Sequence, residues 1–142
     1  MSDIQQDYGA APFALGMSGA ATIGNGVSGV SDELDNRTRK FLDYHIMVSV
    51  TTGGSATATG LVEIYARGSV DGTVYEEEGN DRWIGTITLA AAGAQTRGRL
   101  VSLAAAFNGG VPPFTRLRLR NVTGAALTNA TATVIGISGE AV

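Results

Sequence analysis

Between Phe41 and Ser138 the chain alternates apolar and polar residues with a period of two, and each run ends at a Gly, Pro or Asn/Asp-rich turn. That pattern suits half-buried β-strands and is incompatible with long amphipathic helices. In FLDYHIMVSV, Leu42, Tyr44, Ile46, Val48 and Val50 share one face; Phe41, Asp43, His45, Met47 and Ser49 share the other. In LVEIYARGS, Val62, Ile64 and Ala66 oppose Leu61, Glu63, Tyr65 and Arg67. Asp71-Gly72 marks a turn, after which Val74 and Tyr75 are read as extended. RWIGTITLA places Trp83, Gly85, Ile87 and Leu89 on one side. RLVSLAAAF fits either a strand or a short helix, and NGGVPP breaks both. FTRLRLRNV sets Phe114, Arg116, Arg118 and Arg120 against Thr115, Leu117 and Leu119; ATATVIGIS sets Thr131, Thr133, Ile135 and Ile137 against Ala132, Val134 and Gly136. The expected fold is all-β: an antiparallel β-sandwich or jelly roll of about seven to eight strands.

Residues 1–36 lack this pattern and read as an extended arm ahead of a β-sandwich domain at 37–142. Apolar residues in the arm are isolated among Gly, Ala and Ser, too few to offset the entropy of ordering it. The arm is therefore expected to be mobile in a free monomer or ordered by lying on a neighbouring chain, with Tyr8, Phe13, Leu15 and Met17 as its contact residues. Ser31 to Asn36 has the make-up of one helical turn with Ser31 as N-cap. GNGVSG, at 24–29, matches G-x-G-x-x-G, but a dinucleotide turn needs a buried strand before it and a helix opening from its last glycine. Neither is written here, so the glycines read as conformational freedom.

The remaining chemistry is sparse. Only 16% of residues are charged, against the roughly 25% usual for soluble domains, so the chain either has many neutral polar positions or hides surface against other chains. A formal net charge of −3 gives no field to draw nucleic acid or an anionic membrane. With no Cys and one His, thiolate sites and His/Cys zinc sites are excluded. His45 has no nucleophile motif to serve and reads as structural. No catalytic residue, cofactor, metal site or small-molecule substrate is expected, and the start of the chain does not read as a secretory signal. The sequons at Asn36, Asn121 and Asn129 read as chance matches in a Thr-rich chain. Acids at Asp71, Glu76, Glu77, Glu78 and Asp81 form a loop that reads as a solvated, edge-protecting hairpin rather than a calcium site. Arg116, Arg118 and Arg120 form a stripe on one strand face. Two readings of it stand level: a docking surface for acidic side chains, or pairing with Glu63 and the 76–78 acids across the sheet.

Two stretches carry a family resemblance. Leu61-Val62-Glu63-Ile64-Tyr65 followed by Ser69-Val70-Asp71-Gly72-Thr73-Val74-Tyr75 resembles an LVEVY…SLDGT-x-Y stretch of small virion structural proteins from tailed bacteriophages. Pro112-Pro113-Phe114, with Leu119-Arg120-Asn121-Val122-Thr123-Gly124-Ala125-Ala126-Leu127, resembles their PP…F…LRN-x-TG-x-AL segment. The resemblance spans roughly residues 42 to 137 and leaves out the arm. It implies a β-sandwich head decoration (cement) protein, made in the bacterial cytoplasm and carried on the capsid surface. Its partners would be the major capsid protein and copies of itself, a trimer being expected. It carries over no catalytic residue. A tail or fibre component is the alternative within the virion. A carbohydrate-binding or adhesin module, with Trp83, Tyr65 and Tyr75 as stacking residues, is the alternative outside it.

Overall fold

The computed structural model describes residues 4–8, 11–108 and 110–141, with side chains described from residue 11 to 138 apart from 109. Ten strands form two antiparallel sheets. Sheet A holds β1 (Ile4–Tyr8), β2 (Phe13–Leu15), β5 (Asp43–Thr52), β8 (Thr96–Ser102) and β10 (Leu127–Ala141). Sheet B holds β3 (Ser28–Val30), β4 (Leu34–Asp35), β6 (Leu61–Ser69), β7 (Arg82–Thr88) and β9 (Phe114–Val122). The strand orders are β1-β10-β5-β8, with β2 also on β10, and β3-β9-β6-β7, with β4 also on β9. From β4 onward every connection except the β6–β7 hairpin crosses between sheets. This is jelly-roll connectivity, one of the two all-β arrangements expected.

The alternation sets the core. Tyr44, Ile46, Val48 and Val50 of β5 and Val134 of β10 face Val62, Ile64 and Ala66 of β6, Ile87 of β7 and Leu117 and Leu119 of β9. All of these are buried, and each large side chain contributes about 1.5–3 kcal/mol. RLVSLAAAF turns out to be both of its candidates: β8 runs into a single helical turn, α2 (Leu103–Ala106), whose Leu103 joins the core.

Several expectations are corrected. The stretch 11–36, expected to lie on a neighbour, is part of this chain's own sandwich. Leu15, Met17, Ala20, Ile23 and Leu34 are buried in the core cluster. β2 pairs with β10, and β3 and β4 pair with β9. Main-chain bonds continue the attachment, from Ser31 N–H to the Leu117 carbonyl, Asn121 N–H to that of Val27, and Leu127 N–H to that of Ile23. Isolated apolar residues suffice because each drops into the open side of a core built by other strands. The glycines serve close approach. A Cβ on Gly29 would stand 2.4 Å from the Gly19 carbonyl oxygen, and one on Gly19 would stand 2.3 Å from that of Val30. Within GNGVSG, Gly26 also needs its left-handed φ of 79°.

The helical turn lies at α1 (Asn36–Arg39), and Asp35, not Ser31, caps it by accepting from the Arg37 N–H. Ser31 is buried, and its hydroxyl accepts from the Leu117 N–H. Val74 and Tyr75 lie in the β6–β7 loop rather than in an extended run. Leu42 precedes β5 and is exposed. Trp83 leaves the side of Gly85 and Ile87 because Ile84 is an extra residue in the β6–β7 register: Ile64 pairs with Gly85, and Tyr65 pairs with Trp83. One inserted residue reverses the alternation beyond it, and Trp83 is 59% exposed.

Candidate interaction surface

The outward faces of the two sheets are built from different chemistry. On sheet B the outward residues of β6 and β9 stand in cross-strand pairs: Glu63 with Arg120, Tyr65 with Arg118, Arg67 with Arg116. Two like charges, Arg67 and Arg116, therefore sit opposite each other. The β6–β7 loop offsets this by returning over the sheet. Asp81 accepts from Arg67 Nε at 3.0 Å and from Arg118 Nε at 2.6 Å and Nη2 at 3.1 Å. Glu78 adds a contact to Arg118 at 3.3 Å, and the Ser28 hydroxyl accepts from the same guanidinium at 2.9 Å. The Arg118 guanidinium also lies 4.0 Å from the Tyr65 ring centroid. Burial pushes the Asp81 carboxyl up, but the bonds from Arg118 and then Arg67 outweigh it and hold the group below its ordinary value. The bond to Asp81 raises Arg118 in turn.

The arginine stripe is thus largely committed within the chain. Arg118 is 3% exposed. Arg116 lies over the Tyr75 ring and donates to the Ser31 carbonyl; Arg120 stands 3.8 Å from Glu63. Between the two readings of the stripe, cross-sheet pairing accounts for Arg118 and Arg120, although the principal acid is Asp81. Of the arm candidates, Leu15 and Met17 are core residues, not surface. Phe13 is half-buried beneath the Arg39 guanidinium, 3.8 Å from its ring centroid. The side chain of Tyr8 lies outside the described residues. His45 sits 3.5 Å from Asp43.

The outward face of sheet A was not singled out from the sequence. Its rows follow from the register. Thr133, Met47 and Leu100 stand abreast on β10, β5 and β8, flanked by the rows Ile135–His45–Ser102, Thr131–Ser49–Gly98 and Asn129–Thr51–Thr96. Ala14 of β2 extends the Thr133 row. Across these thirteen positions there is no Asp, Glu, Lys or Arg. Met47 and Leu100 are 45% and 56% exposed, and the remainder is mostly hydroxyl-bearing or small. The carboxylate at the rim, Asp43, is turned inward, accepting from the Ser102 hydroxyl at 2.7 Å and the Ala104 N–H at 2.8 Å. At the open edge, Arg97 and Arg99 of β8 point the other way and donate to the Thr88 and Thr86 carbonyls of β7. They cap backbone acceptors that an edge strand leaves bare. The sequence signal for this face was the scarcity of charge in the outward half of three strands, with Asp43 as its one acid. It becomes visible only when the strands are known to be neighbours.

Asn121 is fully buried. Its amide donates to the Ile23 and Ala125 carbonyls, and its oxygen accepts from the Thr123 N–H and hydroxyl. All four hydrogen-bonding positions are used, so this sequon is inaccessible in the folded chain. Tyr65 and Tyr75, two of the stacking candidates, lie beneath arginines; the Tyr65 hydroxyl bonds Glu63 and that of Tyr75 bonds Glu33.

No protein-family profile matches the chain, and no curated protein matches it. Among solved structures it is similar to a CBM35 from Cellvibrio japonicus Abf62, at 14% identity and a TM-score of 0.43, over 96% of this chain and 97% of that one. It is also similar to a chain of the Cowpea Mosaic Virus empty virus-like particle, at 7% identity and a TM-score of 0.31, over 96% and 83%. A third, from the Gt strain of infectious bursal disease virus, has 15% identity and a TM-score of 0.19, over 98% and 42%. At these scores the likenesses decide nothing about activity.

Proposed function

We propose that the chain is a structural virion protein of a tailed phage, a head decoration protein that binds the capsid exterior as an oligomer. The observation that carries this reading is the uncharged outward face of sheet A. A chain that buries its Arg118–Asp81 pair on sheet B and leaves thirteen uncharged outward positions side by side on sheet A has a face suited to lying against protein. The two resembling stretches support the same reading, since they form β6, its following turn, and the β9–β10 connection. The partners are the major capsid protein and copies of this chain; no cofactor or substrate is invoked.

Mass spectrometry and cryo-EM of the virion whose genome encodes the chain test the proposal. Hundreds of copies on the head exterior are expected. Absence from the particle overturns the reading, and a few copies confined to the tail replace it with the tail or fibre role. A carbohydrate-binding role retains one specific observation, the exposure of Trp83; a glycan array without hits removes it.

A further inference from the structure

The proposed function leaves open what lies on the sheet A face, and the following rests on that reading. We infer that the occupant is a second copy of this chain, packed face to face about a two-fold axis over Met47 and Leu100.

Three properties of the face favour self-pairing. The first is charge. Each copy carries a formal net charge of −3, so copies repel in general, and like charges set opposite each other across a contact are destabilising. The thirteen positions bring no formal charge to the contact with His45 neutral, whereas a contact through sheet B would have to take exposed charges such as Arg120 and Glu78 out of water.

The second is the chemistry of the polar groups. Thr51, Thr96, Thr131, Thr133, Ser49 and Ser102 carry hydroxyls, and a hydroxyl both donates and accepts. A hydroxyl surface is therefore complementary to its own copy in either direction of the two-fold, which no array of guanidinium or carboxylate groups can be. Among these hydroxyls the adjacent Met47 and Leu100, the latter on the edge strand β8, are the part that gains from leaving water, and a two-fold sets such a patch against its own copy.

The third is size. Three strand columns at about 4.8 Å and seven residues at about 3.4 Å give a face of roughly 14 by 24 Å, to which β2 adds Ala14. That is roughly 340 Å² in projection, and more in accessible area because side chains stand up from it. A standard interface buries about 800 Å² per partner, so the expected product is a modest, concentration-dependent dimer. The pairing is two-fold, in place of the trimer expected from the family resemblance. It leaves sheet B and the β6–β7 loop outward on both copies.

Sedimentation equilibrium of the purified full chain across the micromolar range tests the inference. The wild type is expected to shift from the mass of one chain towards that of two as concentration rises. Leu100→Glu and, separately, Thr133→Glu are expected to weaken association at least tenfold while leaving the urea midpoint within error of wild type. Thr133 is exposed, so its variant distinguishes lost contact from lost folding. A wild type that stays monomeric throughout overturns the inference, as does association that persists undiminished in both variants. Binding of the same samples to phage heads lacking the chain separates the two claims. Heads decorated by a monomeric wild type sink the dimer and keep the proposed function. A dimer absent from virions and unable to bind heads does the reverse.

Discussion

The two outward faces of this sandwich share strand geometry and differ in how they treat charge. On sheet B, four arginines and a glutamate stand on adjacent strands, and acids from a loop that folds back over them hold Arg67 and Arg118, so that Arg118 and Asp81 are nearly buried. On sheet A, the corresponding outward positions of β5, β8 and β10 are hydroxyls, small residues and two exposed apolar side chains. A buried ion pair is a poor source of net stability compared with apolar packing, but removing one partner is costly because the other charge remains. Sheet B is therefore sensitive to single changes in the free chain, whereas sheet A is sensitive only when something lies on it.

The largest effect that breaks the comparison belongs to Arg118. Replacing Arg118 with Ala strips the Asp81 carboxylate of its closest partner and is expected to cost about 3 kcal/mol in urea unfolding. A loss within error of zero means that Arg67 alone satisfies Asp81 and the sheet B network is loose. Next comes Gly29→Ala, which forces a methyl group into the Gly19 carbonyl and is expected to cost about 2 kcal/mol. Tolerance there shows that the 16–20 segment is free to lift, and the edge of sheet B with it.

Acid should act through sheet B. Because the Asp81 carboxyl titrates lower in the folded chain than its ordinary value of 3.8, its contribution is complete above the ordinary carboxylate range. It is lost as pH falls through the folded value. Asp81→Asn is expected to flatten the fall in urea midpoint between neutral and strongly acidic pH. An unchanged slope assigns acid sensitivity to other carboxylates. The smallest effect on folding is at sheet A, where Thr131→Lys is expected to change stability by less than about 0.5 kcal/mol while impairing association. A large loss of folding stability there removes the distinction between the faces.

Most of the sandwich was legible because alternation reports directly which side of a strand is wet. Tyr44 to Val50, Val62 to Ala66, and Leu117 and Leu119 all face the core as their spacing indicates. Trp83 was misplaced because a bulge adds one residue without any local mark in RWIGTITLA, and parity is reversed beyond it. Leu15 and Met17 were taken for surface because a segment's own composition does not reveal an open flank on a core assembled from strands far away in the chain. The arginine stripe was seen as a stripe, but its partner Asp81 lies 37 positions from Arg118, and only the return of the β6–β7 loop brings them together.

By itself the sequence determined an all-β chain, the inward half of its main strands and the scarcity of charge, because these depend on neighbours one or two residues away. The tertiary structure alone decided that 11–36 completes its own core, that Arg118 is buried against Asp81, and that three charge-poor strand faces lie side by side. Each of those depends on strand order, and strand order is set by which distant segments exclude water together. GNGVSG shows the difference in small: its spacing suggested a phosphate cradle, then a loose arm. In the fold, Gly29 is where two backbones pass too closely for any side chain.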